Sequence, residues 1–174
     1  FWESQIHTYA ADKVRRSVGC ANSIFNEFRL RQVDRSVLLP YSAEQMFDLV
    51  NNVSAYPLFL PWCEDARVIY EDERSMTAQL TVASSGLKQS FITKNLLSRP
   101  GRIELKLVEG PFRMLSGAWQ FFSLQDNCCR VEVRLRFEID SRLAAGVLSN
   151  IFEQAINSFV DAFCDRADHI YGGW

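Results

Sequence analysis

Nucleophilic or metal-assisted chemistry in this chain would have to be built from five cysteines, two histidines and the carboxylates. The cysteines are Cys20, Cys63, Cys128, Cys129 and Cys164, an odd number with one adjacent pair and no Cys-x-x-Cys, so neither a disulfide framework nor a zinc site is indicated. Histidine is limited to His7 and His169, neither spaced to a cysteine or an acid as metal ligands or a catalytic pair require. A thiolate at Cys128 or Cys129 would form at the turn that opens a strand, with no histidine beside it to lower its pKa, and Cys63 also lacks a partner nearby in sequence. His169 falls near the end of a helical pattern, where it suits the helix terminus. Glu104, Glu109, Glu132 and Glu138 alternate with apolar positions and are expected to face solvent beside Lys106, Arg130, Arg134 and Arg136 as cross-strand pairs. No Gly-x-Ser-x-Gly, His-Glu-x-x-His, phosphate loop or Gly-x-Gly-x-x-Gly occurs. The residues point away from catalysis, and no catalytic or metal-ligating residue is assigned.

What the chain does have is rings. Aromatics make up 13% of 174 residues, thirteen of them Phe, within a hydrophobic content of 48%. The elements that must carry them follow from periodicity. Val33 to Leu39 alternates and ends at Pro40 as a first strand. Ser42 is a candidate cap for a short helix in which Met46, Phe47, Leu49, Val50 and Val53 recur at helical spacing. The segment Tyr56-Pro57-Leu58-Phe59-Leu60-Pro61-Trp62-Cys63 limits any second helix to a turn or two. Strand patterns follow at Arg67 to Tyr70, Met76 to Val82, Gln89 to Leu97, Arg102 to Val108 and Leu115 to Phe122, and short spacers make neighbours antiparallel. The clearest strand is the last, with Cys129, Val131, Val133, Leu135, Phe137 and Ile139 on one face and charged residues on the other. The chain then shows an apolar stripe from Val147 to Ile170, a helix of about 25 residues or roughly 37 Å.

These elements predict an α+β fold in which a curved antiparallel sheet of about seven strands closes around a long C-terminal helix, with one or two short helices after the first strand. One helix roughly 10 Å wide does not fill the concave side of such a sheet, which leaves an apolar cavity. Its expected lining is Tyr56, Phe59, Leu60 and Trp62 from the proline-bounded segment, Phe112, Met114, Leu115, Trp119 and Phe121 from later strands, and Phe152, Ile156 and Phe159 from the helix.

Several separated stretches, Arg35 to Asn51, Tyr56-Pro57, Phe59-Leu60-Pro61-Trp62-Cys63, Gly110-Pro111-Phe112 and Gly117-Ala118-Trp119, resemble the coenzyme Q-binding START-like proteins. Within them the chain is most similar to the bacterial branch of ribosome association toxins. The resemblance runs from about Val33 to Tyr171 and implies a helix-grip fold with a hydrophobic tunnel between helix and sheet. It implies a noncovalently held ubiquinone or other polyprenyl lipid in that tunnel and, for the toxin branch, binding to the large ribosomal subunit that blocks subunit association. The superfamily also contains polyketide cyclases, but that assignment can follow from fold alone.

The charge balance limits the partners. Nineteen basic residues against 21 acidic ones leave a net charge of -2, and from Gln32 onward fourteen against eighteen leave about -4, so binding to RNA would need a local patch. Two candidates are Arg130, Arg134 and Arg136, or Lys88, Lys94 and Arg99. DNA is not an expected partner, and membrane contact is expected to be transient at most. No run of eighteen apolar residues and no secretory-like start occurs, and with the cysteine pattern this places the expected protein in the cytoplasm. Residues 1–31 read as an extension outside the domain, disordered or non-native, and the domain is expected over 32–171.

Overall fold

The computed structural model describes residues 30–84, 86–140 and 145–172, and the side chains of residues 84, 145–154, 156 and 157 lie outside that description. The expectations for residues 1–29 fall outside the described residues. The opening alternation forms β1 (Arg31–Leu39), which buries Val33 and Leu39 and exposes Gln32, Asp34, Ser36 and Leu38. Ser42 caps helix α1 (Ala43–Asn51) reciprocally: its hydroxyl accepts from the Gln45 amide at 3.1 Å, and the Gln45 side chain accepts from the Ser42 amide at 2.9 Å. The helix turns Met46, Phe47, Leu49 and Val50 inward. Pro57 allows only a 3-10 turn, Val53–Leu58, before the chain becomes extended.

Six strands follow as β2 (Cys63–Glu71), β3 (Ser75–Ser84), β4 (Leu87–Ser98), β5 (Arg102–Glu109), β6 (Phe112–Gln125) and β7 (Cys128–Ile139), then helix α2 (Ala145–Tyr171). Two strands begin well before their patterns suggest. β2 starts at Cys63, across a register shift that disrupts the alternation there, and β6 starts at Phe112, which pairs with Ile139 before a second shift.

The sheet order is β1-β7-β6-β5-β4-β3-β2, antiparallel throughout. β1 and β2, consecutive in the chain, therefore occupy opposite edges, and α1 with the 3-10 turn must cross a width of roughly 29 Å at about 4.8 Å per strand. That crossing carries Phe47 edge-on to Phe121 of β6, at 5.7 Å between ring centres. The far end of α2 is tied to the start of α1. Tyr171 donates its hydroxyl to the Gln45 carbonyl at 3.1 Å, and Tyr41 donates to the Asp168 carboxylate while its ring lies 5.7 Å from that of Tyr171. Among the described residues no helix is long and apolar enough to cross a membrane.

The buried side chains divide into two groups. One surrounds α1, Tyr56, Trp119 and Phe163, and the other consists of Val33, Val82, Phe91, Phe112 and Phe137, while Trp62, Leu80 and Leu135 pack against both.

Candidate functional site

A cavity of about 120 Å³ lies where the two groups of core side chains meet. Its walls come from α1 and the turn after it (Val50, Val53, Tyr56), from β3 and β4 (Ala78, Leu80, Phe91, Thr93, Asn95), from β5 to β7, and from α2 through Ala155 and Phe159. An apolar cavity of about 150 Å³ accepts a benzene-sized guest, so the space as it stands suits one ring, and a tail would have to leave by the rim.

The rings are held in place by one another. Trp119 is 5.2 Å from Phe159 and 5.1 Å from Phe163, Trp62 is 6.1 Å from Phe159, and Phe112 meets Phe91 edge-on at 5.4 Å and Phe137 at 6.2 Å. Such offset and edge contacts contribute about 0.5–1.5 kcal/mol each beyond area burial. Gly110, with φ +151°, is packed so that a Cβ would lie 2.5 Å from Cβ of the wall residue Phe91. At Gly117 a Cβ would meet the Arg134 carbonyl oxygen at 2.4 Å, so β6 approaches β7 this closely only because the position has no side chain. The two glycine motifs singled out in the sequence thus shape this end of the sheet.

Of the residues expected to line the cavity, the structure brings Tyr56, Trp62, Phe112, Leu115, Trp119 and Phe159 to its wall. Four others, Leu60, Phe121, Phe59 and Met114, go elsewhere. Leu60 is buried in the core around α1, and Phe121 is buried behind the wall, stacked on Trp119 at 6.4 Å with its ring nearly parallel. Phe59 is half-buried and lines a surface groove of about 490 Å³ between the proline-bounded segment and α2, with the Arg166 guanidinium 5.5 Å from its ring centre. Met114 pairs opposite Glu138 and is not on the wall. The side chains of Phe152 and Ile156 lie outside the described residues. Sequence reasoning missed Phe91, Thr93 and Asn95, three alternate positions of β4 that share the inner face, because two polar residues in the run obscure its apolar character.

The chemistry of the lining is narrow. Among the described residues Tyr56 is its only ionisable group. Burial pushes the Tyr56 pKa up, and its hydroxyl is already committed, donating to the Val50 carbonyl at 2.6 Å. Two polar atoms of the lining have no partner among the described residues: Trp62 Nε1 and Asn95 Oδ1 are buried without a hydrogen bond, and buried Thr93 lies on the same wall. Leaving such a group unpaired costs about 1–3 kcal/mol. Three thiols are held in their neutral form. Burial pushes Cys63 and Cys129 up to about 11, and burial with Asp161, Asp168 and Asp165 pushes Cys164 up to about 12. No three metal-ligating side chains converge among the described residues.

The carboxylates expected on the wet face lie there, but several pair along their own strand. Arg102 meets Glu104 at 2.7 Å and Arg130 meets Glu132 at 3.2 Å, whereas Arg134 with Asp34 and Arg113 with Glu138 cross between strands. Both basic patches expected from sequence are therefore largely neutralised, since Lys88 pairs with Glu64 and Arg99 with Asp48 as well.

An antiparallel sheet gripping one long helix over a partly open apolar cavity defines a helix-grip protein. Its backbone is similar to the Zhui aromatase/cyclase of a Streptomyces species (TM-score 0.68, 19% identity, 83% of this chain and 99% of that one), a likeness that carries the fold alone. Residues 39–164 match the family described as polyketide cyclase / dehydrase and lipid transport, and the chain belongs to that family. It is 46% identical over 140 residues to the ribosome association toxin RatA of Pseudomonas aeruginosa, covering 80% of this chain and 97% of that one. More distantly, it is 26% identical to the mitochondrial coenzyme Q-binding protein COQ10 homolog B of Xenopus laevis, over 81% of this chain and 59% of the relative.

Proposed function

We propose that this chain is a non-enzymatic cytoplasmic binding protein that holds a neutral, ring-headed lipid of the ubiquinone type in its cavity. The observation that carries this reading is the lining itself: flat rings on several sides, one committed tyrosine as the only ionisable group among the described residues, and two unpaired polar atoms, Trp62 Nε1 and Asn95 Oδ1. A carboxylate or phosphate placed there would meet no counter-charge among the described residues and would be strongly penalised. A ring bearing oxygens can accept from Trp62 and bond to the Asn95 amide, while its prenyl tail runs along apolar walls. The name of the COQ10 relative supports the same chemistry. The raised thiol pKa values, and a lining whose only ionisable group among the described residues is a hydroxyl already committed to a backbone carbonyl, support a binding rather than a catalytic role.

The test is solvent extraction and mass spectrometry of gently purified protein, with titration of a short-chain ubiquinone against tryptophan fluorescence. Trp62 and Trp119 line the cavity, so occupancy should quench emission. Protein that carries no lipid and shows no quenching refutes the reading.

A second role on the outside of the molecule is favoured by the RatA name of a relative 46% identical. In that role the chain associates with the large ribosomal subunit and opposes its joining to the small one. Sucrose-gradient profiles with and without added protein check it, and unchanged proportions of free and joined subunits count against it. One role uses the interior and the other the surface, so they are compatible.

A further inference from the structure

On the footing of the ribosomal role just described, we propose that a transverse row on the outer face of the sheet, Lys94, Lys106 and Arg136, is a docking stripe for the phosphate backbone of RNA. The row follows from strand register. Thr77 of β3 pairs with Lys94 of β4, Lys94 with Lys106 of β5, Lys106 with Ser116 of β6, Ser116 with Arg136 of β7, and Arg136 with Gln32 of β1. Six strands thus present a line of side chains that can all donate hydrogen bonds, and none is acidic. Lys94, Lys106, Arg136 and Gln32 are exposed.

Two observations separate this row from an ordinary solvated face. First, the other cations around it are neutralised. In the adjacent row Arg134 reaches Asp34 at 3.5 Å and Glu104 is held by Arg102, and on the opposite side Glu138 is held by Arg113. Lys94, Lys106 and Arg136 make no ion pair among the described residues, so their charge remains available to an outside anion. Second, Lys94 and Lys106 stand directly opposite each other on adjacent strands, a like-charge pair that destabilises the sheet. An anion between them removes that repulsion, so binding gains what folding gives up.

The spacing suits a polyanion. Lys94 and Lys106 are one strand apart, about 4.8 Å, and Arg136 lies two strands further, roughly 10 Å on. Three cations on a straight line about 14 Å long, with Thr77, Ser116 and Gln32 between and beyond them, match a run of successive phosphates better than a single anion. The domain's overall negative charge confines the contact to this stripe, and weak, salt-sensitive binding is the expected character.

The test compares the wild-type chain, the row variant K94Q/K106Q/R136Q, and a control variant R67Q/R74Q/K88Q that removes the same charge from elsewhere. Each is checked for an unchanged circular-dichroism spectrum and melting temperature. The probes are purified large ribosomal subunits and a plain A-form RNA duplex, titrated over a range of salt concentrations. The row variant should bind at least about tenfold more weakly than the control, with the slope of log affinity against log salt smaller by about three. Row and control variants that bind alike overturn the proposal. So does wild-type protein that ignores both RNA probes, including the case where it pellets with phosphatidylglycerol vesicles instead. Duplex binding through the row without subunit binding keeps the stripe and refutes the ribosomal role, and subunit binding indifferent to the row variant does the reverse.

Discussion

Filling the cavity should make the protein more stable and less able to bind. Ala78 is 1% exposed, lies on the cavity wall and pairs with Val68 of β2 and Thr93 of β4, so Ala78→Leu directs three additional carbons into the void. At roughly 24 cal/mol per Å³, a void of about 120 Å³ withholds about 3 kcal/mol from the ligand-free fold. Three buried carbons at about 0.8 kcal/mol each return about 2.4 kcal/mol, and rotamer strain at a packed strand removes about 1–2 kcal/mol of it. The net expectation is about 1 kcal/mol of added stability, a rise of roughly 3 °C in the melting temperature of a domain this size. Binding should move the other way, because the inserted side chain occupies the space a ring head needs. Thermal unfolding of delipidated protein measures the first effect. Titration with a short-chain ubiquinone, followed by tryptophan quenching and by the ligand's own shift of the melting temperature, measures the second. A variant that gains stability yet keeps both quenching and the ligand-induced shift refutes the cavity as the binding site. A variant that loses more than about 2 kcal/mol shows the wall too rigid to use the space, and the reasoning from volume fails.

Gly117→Ala should destabilise the fold by about 2 kcal/mol or more, since the new Cβ falls 2.4 Å from the Arg134 carbonyl oxygen and a main chain cannot step aside as a flexible side chain can. Chemical denaturation checks this, and a change below about 0.5 kcal/mol refutes the close-approach argument. The buried thiols make a pH prediction. Cys63 and Cys129 ordinarily titrate near 9.0 and are raised to about 11 in the fold, mainly by burial, so between those values the unfolded chain releases protons that the folded chain keeps. Their contribution is fully present below pH 9 and is lost as pH rises through 11, so denaturation midpoints should fall across that window. In a Cys20→Ser, Cys128→Ser background the folded protein should react with iodoacetamide at pH 8 on the order of a hundred times more slowly than unfolded protein, and equal rates contradict the burial argument.

Much of the architecture is legible along the chain. Seven strand patterns, the Ser42 cap and the 3.6-residue stripe of the last helix are local signals, set by side-chain alternation, one capping hydroxyl and apolar spacing, and each reappears within a few residues of its expected position. The displaced starts of β2 and β6 mark where register shifts break the alternation on which such reasoning depends. The site is less legible. Trp119 and Phe121 share one face of β6 and look equivalent in sequence, yet one borders the cavity and the other is buried behind it, because position along a strand relative to the crossing helix is a tertiary matter.

The same division holds on the outside. Sequence alone determined that β7 has a charged face, that the chain has few groups able to do chemistry, and that its rings are numerous enough to surround a guest. Only the tertiary structure decided which charges remain free. Lys94, Lys106 and Arg136 lie far apart in the chain and come into one row through the pairing of four strands, while their sequence neighbours Arg130, Arg134 and Arg99 are matched with acids. Charge is a property of composition, but neutralisation depends on distance, and distance between strands is set by register.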